Sequence, residues 1–381
     1  MREGIHIAHV LSSLELGGQE RVALDLAAGQ VRAGHRVTAI SLAPPPDGRL
    51  APEFLAAGAA VARVERRRQG ADPALVLRLS RWLGANRVDL VHTHNRMALM
   101  YGAPAGRLAR LAVVHTKHGR NPCSTQQLVV ARLAALCVDT FVAVSPETAA
   151  FARARREINQ RRLSVISNGI ELERFAPDQA AGERVRAELG IALEAWVVGT
   201  VGRLAPEKNQ GLLLRAVAPL LGDRTRLLVA GDGPMMPALS RLAAALGVAP
   251  FVHLLGARRD VPDLLNALDA FALSSDSEGL PLVIPEAMAT GLPVVSTRVG
   301  GVQDVLEEGL TGFMVPAGDE AGLRERIARL RADQDLGRAC GLRARVAALE
   351  RFSAERMLRD YLELYQEALS RRPGPRRSLL G

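Results

Sequence analysis

Lysine is nearly missing from this chain of 381 residues: Lys117 and Lys208 are the only two, so the remaining 47 of its 49 basic residues are arginine. Aromatic residues make up 3%, too few for the stacking platforms that hold single-stranded nucleic acid. The three cysteines, Cys123, Cys137 and Cys340, are odd in number and far apart. They form neither a disulfide framework nor a metal-binding pattern, and a reduced, cytoplasmic setting is expected. No apolar run reaches the roughly 18 residues needed to span a bilayer. The best stretch, 128–144, is interrupted by Arg132 and Asp139 and reads as a helix followed by a strand. The N-terminus runs straight into a strand-like segment, GIHIAHVLS, so a secretory signal is not expected. Internal repeats and low-complexity tracts are also missing.

What is present suits a large folded core, with 48% hydrophobic and 23% charged residues. The net charge of +9 is unevenly distributed. Residues 1–170 carry 23 basic against 12 acidic side chains, or +11, and the remainder carries 26 against 28, or −2. A basic first half points to an anionic partner, either a phosphorylated acceptor or an anionic membrane surface. Nucleic acid is the rival partner. The sequence contains no nucleic-acid-binding motif, and with so few aromatics no such partner is expected.

Short apolar runs alternate with amphipathic stretches along most of the chain. Strands are expected at 5–11, 36–42, 90–94, 112–118, 141–145 and 163–167, then at 196–202, 226–232, 252–256, 271–274 and 293–296. Helical patterns lie between them, for example at 18–34 and 209–221. Strand–helix–strand repetition predicts an α/β chain with parallel sheets covered by helices on both faces. Two such sets make two doubly wound, Rossmann-like domains, 1–170 and 171–352. The strongly amphipathic stretch 353–370 is expected to be a helix packing back on the first domain, and 371–381 a flexible basic tail.

The most informative stretch is SSDSEGLPLVIPEAMATGLPVVSTRVGG, which holds Glu278 and Glu286 with seven residues between them. Pro281 and Pro285 suit the entry and first turn of a helix, and Gly291 suits its end. Glu286 then lies in the first helical turn, where the backbone dipole favours a carboxylate. Glu278 falls on the loop leaving a strand's carboxyl end, where open α/β sheets bind ligands. Two fixed acceptors at that edge suit a hydroxyl-rich ligand such as a sugar. In GRLAPEKNQ, Arg203 and Lys208 flank Pro206 after a predicted strand. They are either a solvated loop or two cations on a diphosphate. The retention of Lys208 in an arginine-dominated chain favours the second reading, since both lysines fall in loops at predicted strand ends. No Asp-x-Asp stands at a predicted strand end, so a diphosphate there would rely on protein cations and no metal is expected.

Gly17 and Gly18 precede a helix and are either a structural turn or an anion site at the helix N-terminus. His118, in HTKHGRN, is either structural or a sugar-contacting, proton-handling group. His92 and His94 share one face of a strand and are read as packing or acceptor-side groups. Gly231 opens a turn into a helix, and Arg258 and Arg259 follow in 256–269; both stretches are either ordinary loops or places where a base or ribose would lie.

In order, LGGQE, TKHG, VSPE, ISNGIELERF, VGRLAPEKN, VAGDGP, LLGARRDVPDLL, the Glu278–Glu286 block and GLTGFMVPAGD resemble the family 4 retaining glycosyltransferases. The HTKHGRNP segment is further similar to transferases of bacterial exopolysaccharide pathways. The resemblance spans about residues 5–320. It implies a GT-B fold, two Rossmann-like domains facing each other across a cleft. It also implies transfer of a sugar from a UDP- or GDP-linked donor to a glycan or polyprenyl-linked acceptor without a metal or other cofactor, by a cytoplasmic enzyme peripheral on the membrane. Glu286 would hold the ribose, and Glu278, with Gly279 and Leu280, the donor sugar. Arg203 and Lys208 would hold the diphosphate, Gly17 and Gly18 would approach the same phosphates, and His118 would hydrogen-bond the sugar. Gly231 and Arg258 complete the expected donor site. Leu280-Pro281 replaces the family's usual Phe-Gly, and Pro285 its usual Leu, which reshapes the sugar pocket without removing a functional atom. A GT-B-like nucleotide-sugar epimerase is the alternative enzyme, and a basic nucleic-acid-binding protein the alternative outside enzymes.

Overall fold

The computed structural model describes residues 4–67, 70–120, 123–158 and 162–371. Asn121, and the expected basic tail from Arg372 on, lie outside the described residues. The chain divides into two compact units, residues 1–169 together with 354–381, and residues 170–353.

The first unit is built on seven strands: β1 (His6–Leu11), β2 (Arg36–Ser41), β3 (Ala60–Arg63), β4 (Leu90–His94), β5 (Ala112–Lys117), β6 (Thr140–Ala143) and β7 (Leu163–Val165). Their order is β3-β2-β1-β4-β5-β6-β7, and all pairs are parallel. The central strands β1, β4 and β5 are buried at every position, as expected where helices cover both faces of a parallel sheet. The winding reverses between β1 and β4, so the loops at their carboxyl ends diverge and leave a crevice. The helix Ala354–Arg371 packs on the helix Gly18–Arg32 and on β5. Close approach there needs Gly29, where a Cβ would lie 2.8 Å from Leu358 Cδ2. Tyr361 and Tyr365, one helical turn apart, are the largest of the fully buried side chains.

The second unit contains β8 (Trp196–Val201), β9 (Thr225–Ala230), β10 (Val252–Gly256), β11 (Ala270–Leu273), β12 (Val294–Thr297) and β13 (Gly312–Val315). The order is β10-β9-β8-β11-β12-β13, again all parallel, with the reversal between β8 and β11. Leu213, Leu214, Val217, Leu227, Val229 and Phe313 form part of its core.

Two strands were not expected from the sequence. β3 (AVAR) is an edge strand that begins exposed and is nowhere fully buried, so it lacks a continuous apolar run. β13 (GFMV) is four residues long, with Gly309 shortly before it and Gly312 as its first residue, which reads locally as a turn. Its burial comes from β12 beside it and from the helices Glu320–Ala332 and Gln334–Arg351 packed against it.

Candidate active site

In the second unit, three loops at the carboxyl edge are stitched together around Glu278. The loop after β8 forms a 3₁₀ turn, Pro206–Lys208, and Asn209 then adopts a left-handed conformation (φ 45°) that starts the helix Gln210–Val217. The Asn209 side chain caps that helix by accepting from Leu212 N at 3.3 Å and donates to Asp276 Oδ1 at 3.0 Å. Ser274 Oγ donates to the Asn209 carbonyl at 2.9 Å, and Asp276 N donates to the Glu207 carbonyl at 2.9 Å. The β8 and β11 loops are thereby locked at the point where the winding reverses.

That lock brings Lys208 onto Glu278. Lys208 Nζ donates to both carboxylate oxygens, at 2.6 and 2.8 Å, and Ser275 Oγ donates to Glu278 Oε1 at 2.6 Å. Glu278 is buried, while the Lys208 side chain keeps 26% exposure. The sequence reading gave these two residues separate partners, phosphate and sugar; the structure joins them as one charge-assisted pair. The β12 loop closes the arrangement. Thr297 Oγ1 donates to the Ser275 carbonyl at 2.6 Å, and Gly301 N to the Gly279 carbonyl at 2.7 Å. Gly300 has φ 52°, and a Cβ there would lie 2.1 Å from the Glu278 carbonyl oxygen, so this position requires glycine.

The helix Val283–Ala289 carries Glu286 half-buried in its first turn, with Pro285 also in that turn and Gly291 in the left-handed conformation just past its end. Proline is tolerated there because the first N–H groups of a helix have no intrahelical acceptor. Leu280 is buried beside this entry. Arg203 is largely exposed and donates to Glu207 Oε1 at 2.5 Å, not to any group around Lys208. Gly231 has a structural reason to be glycine: a Cβ would lie 1.8 Å from the Gly202 carbonyl oxygen, where the β8 and β9 loops cross. Arg258 donates four hydrogen bonds, two to Glu188 and two to Asp260, and these contacts raise its pKa further. Its guanidinium ties the loop after β10 to the rest of the unit, whereas Arg259 is exposed. The Asp-x-Asp at 333–335 is a helix start: Asp333 accepts from Leu336 N at 2.9 Å and Asp335 pairs with Arg338 at 2.6 Å.

In the first unit, Gly17 precedes the helix Gly18–Arg32 in extended backbone, and a Cβ on it would lie 2.3 Å from Glu20 Oε2. The positive end of that helix thus already faces a carboxylate, whose pKa burial raises. Lys117 is the last residue of β5 and not, as expected, in a loop; its buried ammonium pairs with Glu157 at 2.7 Å. His118 follows it. Burial pushes the His118 pKa down to about 3, so the ring is neutral at pH 7. Its Nε2 lies 3.0 Å from His94 Nδ1, and its Nδ1 is covered and without a partner among the described residues.

His9, His92 and His94 are the one group of three potential metal ligands found among the described residues, with ligand atoms within 4.8 Å of one another. Every ring nitrogen of the three already has a hydrogen-bond partner. His9 contacts Gln30 and His94, His92 contacts Tyr365 and Thr116, and His94 contacts His9 and His118. The sequence reading placed His92 and His94 on one face of a strand but missed His9, Gln30, Tyr361 and Tyr365. His6 and His9 in the first strand were the available signal. Ser275, Asn209 and Thr297 were also missed, because short polar residues in a loop carry no pattern until their partners are known.

Residues 16–174 match the family described as glycosyltransferase family 4, and residues 195–333 the one described as glycosyl transferases group 1. The chain is 30% identical over 278 residues to the UDP-Gal:α-D-GlcNAc-diphosphoundecaprenol α-1,3-galactosyltransferase of Escherichia coli, covering 70% of this chain and 72% of that protein. It is 32% identical over 327 residues to the D-inositol 3-phosphate glycosyltransferase of Salinispora arenicola, covering 77% and 72% respectively. Among solved structures, Anabaena HepE in complex with UDP and glucose superposes with a TM-score of 0.85 at 25% identity, covering 94% of this chain and 99% of that one.

Proposed function

The chain belongs to glycosyltransferase family 4 with a GT-B fold, and on that premise we propose that it moves a sugar from a UDP-linked donor to a glycan or lipid-linked acceptor in polysaccharide assembly. One observation carries this reading: a lysine and a buried glutamate are locked together at the reversal point of the second unit's sheet, beside the helix that presents Glu286. One relative, named for both UDP-Gal and a GlcNAc-diphosphoundecaprenol acceptor, and a neighbour crystallised with UDP and glucose support the donor and acceptor classes.

In the proposed reaction the bond from the sugar's anomeric carbon to the diphosphate breaks, and the acceptor oxygen bonds to that carbon on the same face. The acceptor's proton passes to an oxygen of the departing diphosphate. Lys208, with Arg203, offsets the negative charge that grows on the diphosphate, which stabilises the transition state more than the ground state. Glu278 orients Lys208 and meets a sugar hydroxyl, Glu286 holds the ribose, and His118 contacts the sugar. No metal is required in this scheme, because protein cations supply the charge.

A thermal-shift panel of UDP- and GDP-sugars tests the donor, since a ligand that binds only the folded state raises Tm by mass action. Stabilisation by a UDP-sugar is expected. Glu286→Ala should lose that shift and raise the donor KM by about 10-fold or more, the cost of about 1.5–3 kcal/mol for a charged hydrogen-bond acceptor. An unchanged KM would remove Glu286 from the ribose.

No helix among the described residues is long and apolar enough to cross a membrane. A lipid-linked acceptor would be reached from the cytoplasmic face by docking. The helix Thr125–Ala135 exposes Val129, Val130 and Leu133, Leu136 follows it, and the unit carrying it is basic. Flotation with vesicles containing anionic phospholipid is expected, and Leu133→Asp should reduce it. Flotation independent of anionic lipid would argue against this docking mode.

A further inference from the structure

The buried histidines of the first unit form an ordered chain. Gln30 Oε1 lies 2.8 Å from His9 Nε2, His9 Nδ1 lies 2.9 Å from His94 Nε2, and His94 Nδ1 lies 3.0 Å from His118 Nε2. Burial holds the His9 pKa down to about 4 and that of His94 well below its usual value. All three rings are therefore neutral at pH 7, and each carries one N–H and one bare nitrogen.

Neutrality makes the chain directional. The Gln30 carbonyl only accepts, so His9 donates from Nε2 and its Nδ1 is bare. His94 must then donate from Nε2 to His9, which leaves its own Nδ1 bare. His118 must likewise donate from Nε2 to His94, and its Nδ1 ends the chain as an acceptor with no partner among the described residues. The far end is held as well. Gln30 Nε2 donates to Tyr365 OH at 3.2 Å, and that hydroxyl lies 2.6 Å from His92 Nδ1. Turning the Gln30 amide over would reverse every proton along the line and convert His118 Nδ1 into a donor.

We propose that Gln30, through His9 and His94, is a positioning residue that fixes the tautomer of His118, so that His118 Nδ1 enters the reaction as a hydrogen-bond acceptor for a sugar hydroxyl. The second half of this statement rests on the reading of His118 given above; the relay does not. It gives a role to the histidines at 9 on β1 and at 94 on β4, the latter two residues on from the register partner of His9. It also gives the helix Ala354–Arg371 a role at the site, since Tyr365 anchors Gln30.

The test uses the full chain labelled with ¹⁵N-histidine, in which one- and two-bond correlations report each ring's tautomer. The wild type is expected to show His9, His94 and His118 all as the Nε2–H form. An Nδ1–H form at any of the three, or a mixture, overturns the relay without any variant. Gln30→Met keeps the side-chain length and removes the acceptor. It should turn His118 into a mixture of tautomers and lower kcat by about tenfold or more, with the donor KM nearly unchanged. His115→Asn controls for general loosening, because His115 is a buried ring bonded to Thr93 outside the line, and His118 should keep its single form there. An unchanged His118 tautomer in Gln30→Met sinks the relay whatever happens to activity. A scrambled tautomer with unchanged kcat leaves the relay standing and removes His118 from the reaction.

Discussion

Lys208→Ala is expected to lower the transfer rate by about 10³-fold, the loss of about 4 kcal/mol typical when a preorganised charge is removed from developing negative charge. The ammonium sits 2.6 and 2.8 Å from the two oxygens of a buried carboxylate, so its position is set before any ligand arrives. Truncation also leaves Glu278 with Ser275 as its remaining side-chain partner among the described residues, and a buried carboxylate that loses its counter-charge destabilises a fold by about 3–5 kcal/mol. The two effects are separable. Lys208→Met combined with Glu278→Gln removes both charges, and it should recover most of the lost stability while recovering none of the rate. Unfolding by urea reads the first quantity and single-turnover transfer the second. Transfer within tenfold of wild type in a folded Lys208→Ala protein would refute the assignment.

Acid is expected to unfold the first unit steeply between about pH 6 and 4. Burial lowers the pKa of His9 to about 4 and of His115 to about 3, and holds His92 and His94 well below 6.5. Below the unfolded value of 6.5, the unfolded chain binds protons that the folded unit refuses. Stability contributed by these rings is therefore complete above that value and falls with pH toward the folded values. Four such rings give a slope of up to about 5.5 kcal/mol per pH unit, at about 1.4 kcal/mol each, against a typical total of about 5–15 kcal/mol. Glu20 and Asp139 act in the opposite sense, because burial raises their pKa and the folded unit binds their protons more readily. They oppose the histidines only in part. Each unit has one tryptophan, Trp82 in the first and Trp196 in the second. With Trp196→Phe, Trp82 fluorescence should report a transition taking up several protons. A Trp82 transition with no uptake above pH 4 would show that the rings are protonated in the folded unit.

The alternation of apolar runs with amphipathic stretches was enough to place eleven of the strands, since a strand buried on both faces must be apolar throughout. Glu286 in a first helical turn and Gly291 at that helix's end were also legible, because helix ends need local chemistry. The edge strand β3 and the short β13 were not, since their burial or pairing comes from neighbours distant in sequence.

The sequence by itself determined that two parallel α/β sets exist and that Lys208, Glu278, Glu286 and His118 fall at strand ends or helix starts. Those facts depend on residues a few positions apart. Tertiary structure alone decided that Lys208 and Glu278 form one pair, 70 residues apart, and that Arg258 is held by Glu188 from the same distance. It alone joined Gln30, His9, His94 and His118 into a line closed by Tyr365, 335 residues from Gln30. Hydrogen bonds act over about 3 Å in space and carry no trace of their partners in the local sequence.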